Sequence, residues 1–319
     1  MEIKQLFQEI LTLAIEKRAS DVYFLPKSTN YEVKMHTVAG VIQLSELNKG
    51  TAQRVLTYCK YRGGMSIAEK RRPQLGSLHF HWRDRFFRIR LATVGSFNQH
   101  ESLVLRIIYD GDDQHCQFFN PQILPQLRQL THHRGLLLFA GPTGSGKTTT
   151  IYELARSLPA TEMIMAIEDP VEIFEDRFLQ LEVNEQAGMT YSNLLKVGLR
   201  QRPDAFIIGE IRDQETAQIA IRAALSGHLV LSTIHAKNLA GIEARLLDLK
   251  VTKAQYQAAL TATIYQRLLP STQTGTKALV AWQGGQQTQT KGRSWQVELQ
   301  RTKEKGLITD ECFQKFTNG

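Results

Sequence analysis

The sequence predicts a smaller α+β domain followed by an α/β domain that is built on a parallel-rich central sheet. The chain has 319 residues, which exceeds the roughly 100 to 200 residues of a usual single domain. Its first third contains strand-like segments, whereas the remainder alternates short apolar runs with helical patterns. Buried strands that alternate with helices are typical of a parallel sheet with helical crossover connections.

The N-terminal region begins with an amphipathic helix and continues with strands. Between Ile3 and Arg18, apolar residues recur every three or four positions, which is the spacing of one face of a helix. The strand-like segments that follow are DVYFL, YEVKMHTV, SLHFHW, RFFRIRLATV and ESLVLRIIY. The NKG segment between two of them is predicted to be a turn. We therefore expect an α+β domain over residues 1–110.

A linker is expected where the strand-like segments end. Residues 110–125 have the sequence DGDDQHCQFFNPQILP, which is rich in Asp, Asn, Gly and Pro. We place the linker at residues 111–124 and the second domain at residues 125–319. The strands and helices of that domain are predicted in the order GLLLFAG, TTTIYELARSL, EMIMAIE, YSNLLKVGLRQ, AFIIGE, ETAQIAIRAAL and LVLSTIH.

The composition, with 42% hydrophobic and 22% charged residues, is that of an ordinary globular protein. No run approaches the roughly 18 consecutive apolar residues that a membrane-spanning helix needs, and the N-terminus lacks the layout of a signal peptide. We therefore expect a cytoplasmic protein. Cys59, Cys116 and Cys312 form no CxxC pair, which favours reduced thiols over a disulfide or zinc framework.

The net charge is +8, and the excess lies in the first part of the chain. Residues 1–130 contain 18 Lys and Arg against 12 Asp and Glu. A basic region is compatible with binding to lipid headgroups, nucleic acid or nucleotide phosphates, and also with ordinary solubility. Charge alone leaves these alternatives open.

A phosphate-binding loop is predicted between the first strand and the first helix of the second domain. The stretch GPTGSGKT matches the pattern G-x-x-x-x-G-K-[ST] in the strand-to-helix context that this motif requires. Backbone N–H groups converge on the phosphates, the lysine reaches the β- and γ-phosphates, and the next hydroxyl, that of Thr148, binds Mg²⁺. The predicted nucleotide-binding residues are Gly141, Pro142, Thr143, Gly144, Ser145, Gly146, Lys147, Thr148 and Thr149.

Acidic residues and a histidine follow the later strands of the second domain. Because ligands of parallel sheets gather at the carboxyl ends of the strands, Glu168, Glu210 and His235 are the catalytic candidates. One carboxylate is suited to positioning a water molecule and the other, which we take as Glu210, to holding Mg²⁺ through water. Asp169 and Glu172 are further candidates.

The two histidines at the ends of LVLSTI differ in position. His228 precedes this strand and His235 follows it, so that six strand residues separate them by roughly 20 Å. His235 lies at the carboxyl end, where the phosphates are expected. His228 remains a further candidate whose role, structural or relay, stays open.

Four stretches resemble the Walker A, Asp box, Walker B and His box of the type II secretion and type IV pilus ATPases. They are GPTGSGKTTT, AIEDPVE, LRQRPDAFIIGEIRD and GHLVLSTIHA. Upstream of these boxes, ASDVYFLP and MSIAEKRRPQLGS resemble family segments. Downstream, YQRLLP, which ends at Pro270, resembles the family segment that follows the His box. The resemblance covers nearly the whole chain up to that point. It implies a RecA-like P-loop NTPase domain preceded by a PAS-like N-terminal domain.

The resemblance implies an ATP-hydrolysing, Mg²⁺-dependent homo-hexamer that acts on a polytopic membrane platform protein and, indirectly, on pilin-like subunits. Such a motor is cytoplasmic and peripheral at the inner face of the cell membrane, and no direct DNA binding is expected. We expect the chain to lack the extra docking domain of longer members, and it lacks their tetracysteine insertion and the AIRNLIRE signature of retraction ATPases. It therefore resembles most the competence ATPases, which drive a DNA-uptake pseudopilus.

The resemblance also implies roles for arginines. RFFRIRLAT and ESLVLRII resemble family stretches that supply arginines to the bound nucleotide, which implies this role for Arg90 and Arg106. A fixed charge and a planar fork suit arginine to a transferring phosphoryl group. Strand alternation leaves open that Arg90 faces solvent. Arg200 and Arg212 match family arginines near the Walker B strand, with less defined roles.

Other functions stay open. A RecA-like motor stimulated by nucleic acid fits the basic N-terminal region, although no aromatic-interleaved basic groove is evident. A nucleotide-gated assembly scaffold would depend on partner contacts more than on turnover. A small-molecule kinase is disfavoured because no lid segment or acceptor pocket is found, and a GTPase because no NKxD motif is present.

The sequence of the C-terminal region predicts structure but no function. Residues 271–301 are predicted to form two strands joined by a polar Gly/Gln turn, with Trp282 and Trp295 as packing residues. The final segment, ITDECFQKF, is predicted to be helical, and no chemistry is assigned to it.

Overall fold

The chain divides into two compact units, Met1–Asp110 and Gly111–Gly319. The computed structural model describes residues 2–37, 40–109, 116–273, 275–286, 288 and 292–317. Each unit has hydrophobic clusters of its own. Among the described residues, no helix combines the length and the apolar character needed to cross a membrane.

In its described part, the first unit is a six-stranded antiparallel sheet packed against helices. The helices are α1 (Ile3–Glu16) and α2 (Lys49–Arg62). The strands are β1 (Asp21–Pro26), β2 (Asn30–Thr37), β3 (Gly40–Asn48), β4 (Gln74–Trp82), β5 (Arg85–Gly95) and β6 (Glu101–Ile108). They lie in the order β3-β2-β1-β6-β5-β4. The predicted α+β character of this region is confirmed.

Alternation along the strands gives the first sheet two different faces. On β5, Phe87 and Ile89 are buried, and they share one hydrophobic cluster with Phe7 and Leu11 of α1. Because successive side chains of a strand point to opposite faces, Arg90 lies on the face away from this cluster. The helices therefore cover one face of the sheet, and the opposite face carries polar side chains.

The NKG segment, which was predicted to be a turn, begins helix α2 instead. The Oδ1 atom of Asn48 accepts a hydrogen bond from the backbone N–H of Thr51 at 2.9 Å, which makes Asn48 the N-cap of this helix. Asparagine is favoured both in turns and at helix N-caps. The turn prediction is therefore wrong because the same residue type is typical of both structures.

The second unit, over the residues described, contains a seven-stranded sheet in the order β13-β12-β7-β11-β10-β8-β9. The strands are β7 (Gly135–Ala140), β8 (Ile164–Glu168), β9 (Leu179–Glu182), β10 (Ala205–Ile208), β11 (Leu229–Thr233), β12 (Leu260–Pro270) and β13 (Thr276–Gly284). The helices are α3 (Ile123–Thr131), α4 (Lys147–Arg156), α5 (Tyr191–Gln201), α6 (Gln214–Leu225), α7 (Leu239–Asp248), α8 (Lys253–Ala259), α9 (Trp295–Glu304) and α10 (Asp310–Lys315). Strand β13 pairs antiparallel with β12, and the other neighbouring pairs are parallel. The predicted parallel-rich sheet is confirmed.

Strand β7, an interior strand of the second sheet, is buried on both faces. Leu136 and Leu138 of β7 belong to one hydrophobic cluster, whereas Leu137 and Phe139 belong to another. A strand that is covered on both sides has a continuous apolar sequence rather than an alternating one. This explains why GLLLFA predicts a parallel strand.

Part of the segment that was predicted to be a linker pairs with the second sheet. The backbone N–H of Phe119 donates to Ala278 O at 3.1 Å, and that of Ala278 donates to Gln117 O at 2.6 Å. Residues 110–115 lie outside the described part of the chain. Residues 117–119 thus lie along β13, and helix α3 begins at Ile123, within the predicted linker.

The prediction of a second C-terminal strand is wrong, because that segment forms helix α9. Ser294 caps the helix and accepts a hydrogen bond from Val297 N at 3.4 Å. Trp295 and Leu299 are buried four positions apart, although the sequence SWQVELQ also alternates between apolar and polar residues, which suggested a strand. Trp282 and Trp295 are buried, as predicted, and the final segment is helical.

A buried ion pair leads to a prediction for the stability of the first unit. The Lys60 and Glu101 side chains are 1% and 2% exposed, and Lys60 Nζ lies 2.6 Å from Glu101 Oε1. We expect Lys60→Met to lower the free energy of unfolding by about 3 to 5 kcal/mol, because the Glu101 carboxylate would remain buried without its cation. Urea unfolding followed by circular dichroism measures this change.

Lys34→Met is the matched control. Lys34 contacts Glu32 at 2.8 Å in a solvent-accessible pair, and we expect its loss to leave stability nearly unchanged. Equal effects of the two substitutions would contradict the importance of the buried pair.

Candidate functional site

The loop that follows β7 has the backbone of a phosphate-binding loop. Gly141, Gly144 and Gly146 have φ angles of 144°, 75° and 81°, in the region that favours glycine. A Cβ atom added to Gly141 would lie 2.1 Å from Gln266 O, so a side chain does not fit there. Helix α4 begins directly after the loop at Lys147. Its first N–H groups lack intrahelical partners and attract anions.

A buried glutamine on β12 supports this loop. Gln266 is 0% exposed. Its Nε2 atom donates to Ser145 O at 2.8 Å, and its Oε1 atom accepts from Thr150 Oγ1 at 2.9 Å. The side chain thereby ties the loop to the first turn of α4. Sequence reasoning assigned Gln266 no role, although a glutamine within an apolar strand segment is a signal for a buried polar contact.

Lys147 folds back over the loop. Its Nζ atom donates to Gly141 O and to Pro142 O, each at 2.9 Å. Burial lowers the pKa of this ammonium group, and the carboxylates of Glu210 and Glu172 act in the opposite direction. Phosphate oxygens can replace the two carbonyl contacts, because an ammonium group binds anionic oxygens more strongly than neutral carbonyl oxygens.

Parallel strands deliver their terminal residues to one cleft beside the loop. Ile167, Ile208 and Ser232 are register partners on β8, β10 and β11, so the residues after them emerge at the same edge of the sheet. The cleft has a volume of about 490 Å³. The residues that line it are Thr143, Gly144, Ser145, Gly146, Lys147, Thr148, Thr149, Glu168, Asp169, Pro170, Glu172, Tyr191, Gly209, Glu210, Arg212, Thr233, Ile234, His235 and Leu268.

Glu210 is the centre of a charged network in this cleft. Its Oε1 atom lies 2.9 Å from His235 Nε2, and its Oε2 atom accepts a hydrogen bond from Arg212 Nε at 2.5 Å. Arg212 Nη1 also lies 3.6 Å from Asp169 Oδ2. The hydrogen bond that Arg212 donates to Glu210 raises the pKa of the Arg212 guanidinium. Because the Arg212 and His235 side chains are 57% and 65% exposed, both are accessible to a ligand.

Glu168 lies in a different environment within the same cleft. It is 3% exposed, and its Oε1 atom accepts a hydrogen bond from the hydroxyl of Tyr152 on α4. Tyr191 also lines the cleft, and burial together with the Asp169 carboxylate raises the pKa of its hydroxyl. Sequence reasoning missed both tyrosines, because an aromatic residue in an apolar pattern predicts packing and gives no sign of its hydroxyl partner.

Two of the further candidates, His228 and Arg200, do not line the cleft. His228 is at the amino end of β11, where its Nδ1 atom lies 3.0 Å from Ala223 O and its ring packs against Phe206. Arg200 is exposed near the end of α5. Neither residue is among those that line the cleft.

Arg90 and Arg106 lie side by side in the first unit. They are register partners on β5 and β6, and both are on the face of the sheet opposite the hydrophobic cluster. Arg106 Nε donates to Asp21 Oδ1 at 2.8 Å, and Asp21 is buried. A buried carboxylate therefore orients one of these two arginines.

This fold and this cleft define a P-loop ATPase with an additional N-terminal sheet domain. The family described as Type II/IV secretion system protein matches residues 1–319, and the chain belongs to this family. The resemblance drawn from the four sequence boxes is thereby confirmed.

Named relatives agree with this membership, and a solved structure shares the fold. The chain is 40% identical over 308 residues to the competence protein ComGA of Streptococcus pneumoniae, with 96% of each protein covered. It is 35% identical over 272 residues to ComGA of Bacillus subtilis, which covers 84% of this chain and 76% of that protein. The X-ray structure of the Legionella pneumophila ATPase DotB shares the fold, with a TM-score of 0.78 at 16% identity over 97% of this chain and 94% of that one.

The contacts of Gln266 lead to a prediction for nucleotide binding. Gln266→Leu removes a donor from Ser145 O and an acceptor from Thr150 Oγ1, and each lost partner of a buried polar group costs about 1 to 3 kcal/mol. We expect the Kd for a fluorescent ATP analogue to rise by about tenfold or more. Gln283→Leu, on the exposed side of β13, is the control and should bind normally. Equal affinity of the two variants would contradict a supporting role for Gln266.

Proposed function

We propose that this protein is an ATP-hydrolysing hexameric motor that powers assembly of a competence pseudopilus, a filament like the type IV pilus, for DNA uptake. The observation that carries the proposal is the convergence of the phosphate loop with Glu168, Glu210 and His235 in one cleft. The name competence protein, borne by relatives at 40% and 35% identity, supports the competence role.

We assign ATP binding to the loop and the first turn of α4. The backbone N–H groups of residues 143–149 and the helix dipole favour the phosphates. Lys147 exchanges its contacts with Gly141 O and Pro142 O for contacts with phosphate oxygens. The glycine conformations of the loop allow the backbone to approach the phosphates closely.

Oxygen groups suited to Mg²⁺ line the same cleft. The hydroxyl of Thr148 and the carboxylate of Glu210 are both present there, and Mg²⁺ prefers oxygen ligands while keeping several of its waters. We assign Thr148 as a ligand and Glu210 as a partner through water. When bound, the ion supplies positive charge for the phosphate oxygens.

In the hydrolytic step we assign Glu168 to the attacking water. A carboxylate within hydrogen-bond reach orients that water and accepts its proton. His235 and Arg212, which hold Glu210, are exposed enough to contact the transferring phosphoryl group and to stabilise its charge. Asp169 assists by its contact with Arg212.

We further propose that Arg90 and Arg106 contact the nucleotide during hydrolysis. Their fixed charges and planar groups stabilise a transferring phosphoryl group. Asp21 holds Arg106 for this role. Loss of the γ-phosphate would release this contact, and the resulting rotation between the domain of residues 1–110 and that of residues 125–319 is the proposed output of the motor.

The proposed partners follow from this output. A homo-hexamer of such subunits would turn a polytopic membrane platform protein and thereby feed pilin-like subunits into the filament. We place the motor in the cytoplasm, peripheral at the inner face of the cell membrane. Direct DNA binding is not required, because the filament itself would contact the DNA.

The proposal is tested through Lys147. We expect Lys147→Ala to reduce ATP turnover to background, because the phosphates lose the positive charge of the lysine. A phosphate-release assay measures this turnover. Lys253→Ala, an exposed lysine on α8, is the control. In cells, the first variant should abolish transformation and pseudopilus assembly, and the second should not. A nucleic-acid motor would be supported instead if single-stranded DNA stimulated hydrolysis by the wild-type protein and the Lys147→Ala variant still assembled filaments normally.

The arginine assignment is tested separately. We expect Arg90→Ala and Arg106→Ala each to lower kcat by about tenfold or more, since an arginine that contacts the transferring phosphoryl group contributes at least this much. Nucleotide binding should stay measurable. Arg54→Ala, an exposed arginine on α2 of the same unit, should retain normal turnover. Unchanged kcat in both test variants would rule out the proposed contact.

A further inference from the structure

The hydroxyl of Tyr152 is held against Glu168 by a buried hydrogen-bond network. Tyr152 is 0% exposed and lies on α4, the helix that begins with Lys147. Its hydroxyl donates to Glu168 Oε1, and the Nε2 atom of Gln180 on β9 donates to the same hydroxyl at 2.7 Å. A buried carboxylate and a buried phenol thus satisfy each other.

The orientation of the Gln180 amide determines the direction of these bonds. Its Oε1 atom accepts from Glu175 N at 2.9 Å, and its Nε2 atom also donates to Ile173 O at 2.7 Å. A flipped amide would place acceptor against acceptor and donor against donor. Gln180 therefore donates to Tyr152 and occupies a lone pair of the hydroxyl, so the single hydrogen of this hydroxyl points to Glu168.

The segment that carries Gln180 makes further contacts with α4. Arg156 Nε lies 2.5 Å from Glu175 Oε2, and Arg177 Nη2 donates to Ala155 O at 3.2 Å. These contacts join the end of α4 to the segment that carries Gln180. A displacement of α4 on phosphate binding would therefore be transmitted to the Glu168 carboxylate through Tyr152.

We propose that Tyr152 is a positioning residue for ATP hydrolysis, which aims the Glu168 carboxylate at the attacking water and couples it to the phosphate-binding helix. The inference rests on the proposed function and deepens it. Burial and the Glu168 carboxylate raise the pKa of Tyr152, so the phenol remains a donor at neutral pH.

The test compares steady-state kinetics of the full chain and its Tyr152→Phe variant. We expect kcat to fall by about tenfold to hundredfold, as for the loss of one hydrogen bond to a charged group, while the KM for ATP stays unchanged. Gln180→Met, a second variant with a similar volume, should lower kcat less, because the Tyr152 hydroxyl remains and loses only the hydrogen bond that orients it. Tyr256→Phe, a buried tyrosine on α8 that does not line the cleft, is the control and should behave like the wild type.

A double-mutant cycle separates positioning from structural support. If Tyr152 acts through Glu168, then Tyr152→Phe added to Glu168→Gln should cause no further loss of kcat. Losses that multiply, or a raised KM with normal kcat, would overturn the inference.

The same measurements distinguish the inference from the function on which it rests. Normal turnover in Glu168→Gln would remove the proposed role of Glu168 and, with it, that of Tyr152. Impaired turnover in Glu168→Gln together with normal turnover in both Tyr152→Phe and Gln180→Met would overturn the inference about Tyr152 alone.

Discussion

The in-register pairing of parallel strands β7, β11, β10 and β8 is the constraint on which the cleft depends. The ladder continues past the strand ends, where Gly209 N donates to Ile167 O at 2.8 Å and Ile234 N donates to Phe139 O at 2.9 Å. These bonds hold the backbone that carries the acidic residues. A shift of one residue in register would turn the side chain of Glu210 to the opposite face of the sheet and so out of the cleft.

The two carboxylates of the cleft lie in contrasting surroundings. Glu210 is held by the accessible side chains of Arg212 and His235, whereas Glu168 is held by the buried hydroxyl of Tyr152. Different environments allow residues of the same type to take different roles. Glu210 can exchange its partners when an anion enters, whereas Glu168 stays bound to α4 through Tyr152. This contrast is the physical basis for assigning the metal to one of them and the water to the other.

Most of the fold was predictable, because a long segment with one clear hydrophobic pattern is compatible with only one kind of secondary structure. The continuous apolar sequence of β7 and the helical spacing of α5 both predicted their elements. The errors fell where local sequence is ambiguous. The residues from Ser294 to Leu299 satisfy both a period of two and a helical spacing, and Asn48 is as typical of a turn as of an N-cap. Packing decided these cases.

The sequence by itself determined the phosphate loop and the acidic strand ends, because their chemistry lies in residues that are close together in the chain and whose direction follows from strand polarity. Only the tertiary structure decided which side chains hold them in place. Gln266 and Ser145 are 121 positions apart, and Tyr152 reaches Glu168 from a different element. Contacts of this kind arise when elements pack, so a local pattern does not contain them.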